Sequence, residues 1–288
     1  MASLNLSFDN TQWIGGKSVP SQGARTIPIH DPADAAVFAH VQRGNSEDAA
    51  AAIAAARKAQ RDWAALSPSD RAKQLRVGLQ KVQQCPDEIA MLLTRENGKP
   101  LAHAKAEVEL AVSMSRSLIE LGINLSGRSL GTASTELLFQ QHQPRGVAVC
   151  LNTWNAPVVA AVEMVVANLI VGNSVVLKTS ERAPLATRRA LERGFDHLPA
   201  GLVNVLSGDG PNVGEPLVRH ADTDVVCFIG SLGVGRQIGR MAGERVRKVI
   251  LELGGKNALI VDDTVDPAAA ARLAAPTCFA NTGQICTC

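Results

Sequence analysis

Two residues near the C-terminal end of the sequence have the chemistry of a nucleophile and a base. Cys286 stands in Gly283-Gln284-Ile285-Cys286, and Glu252 stands thirty-four positions earlier in Leu251-Glu252-Leu253-Gly254-Gly255-Lys256. A thiol reacts as its thiolate, whose pKa falls beside cations or helix N-termini. A carboxylate at the end of an apolar run is desolvated, which raises its pKa towards the range of a useful base. Each residue also has a plainer reading. A lone cysteine is most often a small core residue, and Glu252 can pair with Lys256. Both sit in glycine-flanked stretches where backbone can approach a ligand, and together they favour covalent catalysis assisted by a base. A metal at Cys286 and Cys288 is disfavoured, because two ligands are too few and no histidine lies near them.

Such groups need a scaffold, and from Arg145 the sequence has a regular rhythm. Short apolar runs at 147–151, 174–177, 202–206, 225–229 and 249–251 read as strands. Helical stretches at 158–171, 185–197, 213–219 and 236–242 fall between them. This alternation predicts the α/β class, with a doubly wound parallel sheet and helices on both faces. Continuous apolar runs are what strands buried on both faces require. Ligands in such folds bind beyond the carboxyl ends of the strands, so the residue after each run is a candidate.

Asn155 follows the first run. Its amide can hold a carbonyl or an oxyanion, or it can simply start a turn. Lys178 and Glu181 follow the second and could grip two sugar hydroxyls or form a solvated charge pair. Gly208 and Gly210 follow the third, in a plain turn or one that admits a ligand. Gly230-Ser231-Leu232-Gly233-Val234-Gly235 follows the fourth and opens a helix whose first N–H groups suit a phosphate. Its spacing is not the G-x-G-x-x-G fingerprint, so the strand–turn–helix context carries this reading.

Upstream, the first forty residues are turn-rich, with short strands near 26–29 and 37–41. A helix over 49–65 opens at Ser46-Glu47-Asp48, with Ser46 as cap and two acids in its first turn. Ile53, Ala56, Ala59, Trp63 and Leu66 share one face. Helices follow at 69–84, 87–96 and 102–121, the second stopped by Asn97-Gly98-Lys99-Pro100. Residues 122–144 are rich in Ser, Thr, Gly and Gln and read as an extended arm or hairpin.

Composition excludes several classes. The 288 residues are 46% apolar and 19% charged, with 29 basic against 27 acidic side chains, as in an ordinary globular protein. No basic block is present, and with no Tyr and only nine Phe and Trp nucleic acid is not implied. The longest apolar stretch, 156–171, is interrupted by Glu163 and Asn168 and is too short for a membrane span. No secretory signal is visible at Met1–Asp9. Six cysteines in so long a chain are not a disulfide framework and read as reduced thiols of a cytoplasmic protein.

Taken together, these motifs resemble the aldehyde dehydrogenase superfamily, most densely from Arg145 to Cys286. Glu-Leu-Gly-Gly-Lys followed by Gly-Gln-x-Cys at this spacing is the most specific part. The resemblance implies a cofactor-binding domain formed by residues 1–122 and 145–251, an oligomerisation arm at 123–144, and the beginning of a catalytic domain at 252–288. It implies NAD(P)-dependent oxidation of an aldehyde to a carboxylic acid by a homo-oligomer. Cys286 would be the nucleophile, Asn155 and the Cys286 N–H the oxyanion donors, and Glu252 the base that activates water. Lys178 and Glu181 would bind the adenosine ribose. Trp154, Gly210, Gly214, Phe228, Gly230, Ser231, Val234, Leu253 and Gly254 would line the cofactor cleft. The carboxylate of Glu181 favours NAD, with NADP possible. Thr153 and Ile229 stand where the family often has Pro and Thr. Family members are considerably longer, so a second expectation is a catalytically incomplete piece that binds dinucleotide or docks onto full-length subunits.

Overall fold

The structure is a computed structural model that describes residues 11–287 other than 22, 24 and 134. The expectations placed on Met1–Asp9 and Cys288 lie outside the described residues. The chain opens with a hairpin of β1 (Gln12–Ile14) and β2 (Lys17–Val19), turned by Gly15 and Gly16 at φ 63° and 73°. Two successive left-handed residues are what a tight hairpin turn asks for. A separate hairpin joins β3 (Thr26–His30) to β4 (Val37–Gln42). Four helices follow: α1 (Ser46–Ala65), α2 (Pro68–Gln83), α3 (Pro86–Asn97) and α4 (Leu101–Ile123). The cap of α1 is Asn45, not Ser46. Asn45 Oδ1 accepts from the Glu47 and Asp48 N–H groups while its own N–H donates to Asp48 Oδ2 at 3.0 Å, so the reciprocal pair closes one residue earlier than expected. Leu66 lies just past this helix and is exposed. Gly98, at φ 78°, ends α3.

Residues 122–144 contain the hairpin β5 (Arg128–Ala133) and β6 (Glu136–Gln140), which forms a sheet of its own. Beyond it the α/β rhythm holds: β7 (Val147–Leu151), α5 (Pro157–Ile170), β8 (Ser174–Lys178), α6 (Leu185–Phe195) and β9 (Val203–Leu206). The next helical stretch is a π-turn at Gly210–Gly214 running into α7 (Glu215–Arg219). Then come β10 (Val225–Gly230), α8 (Leu232–Gly243), β11 (Lys248–Leu253), α9 (Pro267–Cys278) and a 3-10 turn at Ala280–Gly283. α8 begins at Leu232 rather than Arg236, because Ser231 Oγ accepts from the Val234 N–H and caps it there. Gly233 and Gly235 are therefore helical.

The main sheet runs β11-β10-β7-β8-β9-β1-β2. The five strands from β7 onward pair in parallel, and the β1–β2 hairpin adds two antiparallel strands beyond β9. The turn-rich reading of the N-terminus missed this addition. It is tied by contacts distant in sequence: the Gly15 N–H donates to Asn204 Oδ1 at 2.9 Å and the Ser207 N–H to Gln12 Oε1 at 2.8 Å. Side chains alternate across the sheet. Ala148, Cys150, Val175 and Leu177 join a core with α2 to α6, while Val147, Val149 and Val176 join one with α1, α7 and α8. Helices thus cover both faces, and the strand order reverses at the crevice between β7 and β10, where such folds place their ligands.

Candidate active site

The carboxyl ends of β7 to β10 converge on a cavity of about 480 Å³, within the usual range for a ligand site. Asn152, Thr153 and Trp154 line it from β7, and Lys178, Ser180, Glu181 and Arg182 from β8. Gly210 and Gly214 enter from the turn after β9, and Phe228 to Ser231 with Val234 from the end of β10 and the start of α8. Leu253 and Gly254 are not brought into this lining. Leu253 lies against Gly235, where a Cβ would come within 2.5 Å of its Cδ2, and the Gly254 N–H donates to the Gly230 carbonyl at 3.2 Å. They support the glycine-rich turn from behind.

Lys178 is buried at the cavity floor, 7% exposed, and its Nζ donates to Glu181 Oε1 at 3.1 Å and to the Thr179 carbonyl at 3.0 Å. Burial pulls its ammonium below the ordinary lysine value, and the nearby Glu181 and Asp209 carboxylates oppose that shift. A donor and an acceptor stand side by side here, as a vicinal diol requires. No atom lies within 4 Å of a Cβ built on Gly210, so the backbone is open to a ligand there. The first turn of α8 faces the same space and suits an anion. Arg182 stacks over Trp154, its guanidinium carbon 5.8 Å from the ring centroid.

Asn155, one residue beyond Trp154, is held on all sides. Thr153 Oγ donates to its Oδ1 at 2.6 Å, and its Nδ2 donates to the Gln284 carbonyl at 2.9 Å. Its carbonyl accepts from Lys99 Nζ at 2.9 Å and Asn281 Nδ2 at 3.0 Å. Asn155 is thereby joined to the loop that carries Cys286, and its amide retains a second hydrogen. Thr153, which the sequence marked only as a departure, is what orients this amide. Cys286 is exposed, and its carbonyl accepts from Asn257 Nδ2 at 2.6 Å, which links it to the segment after β11. The loop turns through Asn281 and Thr282, at φ 48° and 57°, and Gly283 at φ 77°. Left-handed backbone is strained for a β-branched threonine. Gln284 Nε2 to Thr282 Oγ at 2.5 Å braces it.

Glu252 corrects an expectation. It sits in β11 opposite Ile229, but its side chain is exposed, because β11 is the sheet edge and alternate residues face outward. The burial expected of its side chain is not found in this structure. Lys99, Glu107, Asn281 and Gln284 were missed as site residues. Gln284 stood in the Gly-Gln-x-Cys motif and Lys99 in the turn that stops α3, but neither was singled out for a role of its own. Beside them lies an apolar cavity of about 370 Å³, bounded by Leu110, Ala156, Val159, Phe279 and Ile285.

This architecture, a doubly wound α/β domain with its cleft at the strand-order reversal, matches solved structures of the NAD(P)-binding fold. The chain belongs to the aldehyde dehydrogenase family, whose sequence profile matches residues 18–288. It is 32% identical over 281 residues to 3,6-anhydro-alpha-L-galactose dehydrogenase of Vibrio sp. (strain EJY3), covering 96% of this chain and 58% of that protein. It is 34% identical over 287 residues to alpha-ketoglutarate semialdehyde dehydrogenase of Haloferax volcanii, covering 98% and 59%. Among solved structures, a 3,6-anhydro-L-galactose dehydrogenase in complex with NAP superposes with a TM-score of 0.91 at 32% identity, covering 96% of this chain and 59% of that one. PnpE in complex with nicotinamide adenine dinucleotide gives 0.93 at 30%, covering 97% and 58%. The chain therefore spans somewhat under three fifths of the length of these relatives. Among the described residues, no helix is long and apolar enough to cross a membrane.

Proposed function

We propose that this chain carries the cofactor site and the reacting groups for NAD(P)-dependent oxidation of an aldehyde to a carboxylic acid. The observation that carries the reading is the 480 Å³ cavity at the strand ends, with buried Lys178 beside Glu181 and Asn155 tied to the Cys286 loop. Lys178 and Glu181 would hold the hydroxyls of the adenosine ribose, and the first turn of α8 would face the phosphates. The carboxylate of Glu181 would repel a 2′-phosphate, which favours NAD over NADP. When bound, the nicotinamide supplies an acceptor for hydride.

In this chemistry the Cys286 thiolate forms a bond to the aldehyde carbon, and the carbonyl electrons move to oxygen. Asn155 Nδ2 stabilises that oxyanion with its remaining hydrogen. Once the hydride has left, the carbon is a thioester of Cys286. Glu252 takes a proton from water, whose oxygen displaces the Cys286 sulfur and releases the acid. The apolar cavity beside Ile285 suits the hydrocarbon part of a substrate.

Cys286→Ala should abolish NADH formation, by more than about a thousandfold, while leaving dinucleotide affinity in fluorescence titration unchanged. Normal turnover in that variant would sink the nucleophile role. Glu252→Gln should keep a pre-steady-state burst of NADH and slow the turnover that follows. A burst that vanished with turnover would reject the water-activating role. A second reading is dinucleotide binding without turnover, which the 480 Å³ cavity at the strand ends would serve by itself. Tight dinucleotide binding by the 288-residue chain with no aldehyde-dependent NADH would support it.

A further inference from the structure

Lys99 and Glu107 form an ion pair whose side chains are 3% and 5% exposed. Lys99 Nζ donates to Glu107 Oε2 and, at 2.9 Å, to the carbonyl of Asn155. The other oxygen of Glu107 accepts from the Val158 N–H at 2.8 Å and the Val159 N–H at 3.2 Å. Those N–H groups belong to the first turn of α5, which has no side-chain cap of its own. One pair therefore grips the backbone at Asn155 and again three and four residues later. Asn281 Nδ2 gives the Asn155 carbonyl its second donor. The pair borders the apolar cavity next to Ile285, so it acts from the wall of the site.

Stability alone is a poor account of such a pair. Well-packed apolar side chains of similar volume are often as stabilising as a buried ion pair, whereas charged groups impose one geometry. We propose that the buried Lys99–Glu107 pair is a positioning device for Asn155, clamping its peptide and the start of α5 so that its amide is aimed at the oxyanion before substrate arrives. The proposal rests on the oxyanion role of Asn155 given above. Lys99 and Glu107 touch no reacting atom in it.

The test is a double-mutant cycle in the natural protein, read by kcat, aldehyde KM and dinucleotide affinity. The variants are Glu107→Gln and the neutral pair Lys99→Met with Glu107→Gln, which leaves no lone buried charge. Each is made with and without Asn155→Ala. With Asn155 present, kcat should fall on the order of ten- to a hundredfold, the scale of a displaced catalytic group, with dinucleotide affinity unchanged. With Asn155→Ala, the same changes should cost less than about twofold more, because a clamp has nothing left to aim. Equal losses in both backgrounds would overturn the positioning role and leave the function intact. Full turnover in Asn155→Ala would overturn the oxyanion assignment and the positioning role with it. If neither pair variant folds in a melting experiment, the pair is structural and the proposal fails.

Discussion

Strands β7, β8 and β9 bury every residue, whereas α9 buries none and β11 only half-buries alternate ones. The first region is organised by apolar packing on both faces of a sheet. The second, from Glu252 to Cys286, meets the first beyond β11 through polar contacts: the Asn155 amide with the Gln284 carbonyl, Asn281 with the Asn155 carbonyl, and the Gly254 N–H with the Gly230 carbonyl. Leu259, Ile260, Val261, Leu273 and Phe279 are exposed there. The contrast separates two kinds of control. In the cofactor region, side-chain volume sets stability and the cavity walls follow. Around Cys286, individual amide groups fix the course of the loop.

Three changes would break or sharpen that contrast. The largest effect on folding is expected from Leu177→Ala, since Leu177 is 0% exposed in β8. It should cost about 2–5 kcal/mol in urea unfolding while leaving hydrogen exchange in α9 as fast as before. Strong coupling between them would mean one cooperative unit.

Asn281→Gly removes the anchor while tolerating φ 48°. It should lower aldehyde turnover in the natural protein by roughly a hundredfold and leave the melting midpoint nearly unchanged. A large drop in midpoint would erase the distinction.

The third change concerns Glu96, which is buried beside α6. Its oxygens accept from the Leu185 and Ala186 N–H groups at the start of α6, and it borders a smaller cavity shared with Gln284. Burial pushes its carboxyl up to about 8 from 4.5, with the two N–H bonds pulling the other way and the Glu107 charge adding to the rise. Between those values the folded state holds a proton that the unfolded state has lost. Stability is therefore fully present below about pH 4.5 and declines as pH rises towards 8, with a slope of at most about 1.4 kcal/mol per pH unit. Urea midpoints measured across that window should show the decline in the natural protein and a flatter line in Glu96→Gln. Parallel lines would assign the pH dependence elsewhere.

Much of the cofactor region was legible because its signals are local. An apolar run of five residues such as 147–151 states a buried strand by itself, and Lys178 and Glu181, at and after the end of the second run, line one cavity with residues from the other strand ends. The β1–β2 hairpin was not legible as part of the sheet, because its pairing partner β9 is remote in sequence. Nor was the environment of Glu252, which depends on β11 lying at the sheet edge.

The sequence by itself determined the α/β class, the strand ends to inspect, the paired motifs of Glu252 and Cys286, and the family they mark. Backbone periodicity and short motifs are properties of neighbouring residues, and no folding is needed to read them. Tertiary structure alone decided which polar groups meet. Lys99 reaches the Asn155 carbonyl, Glu107 caps α5, and Asn281 fastens the Cys286 loop, each across more than fifty residues of sequence. A hydrogen bond depends on distance and direction in space, and no spacing along the chain encodes those before the sheet and its helices have formed.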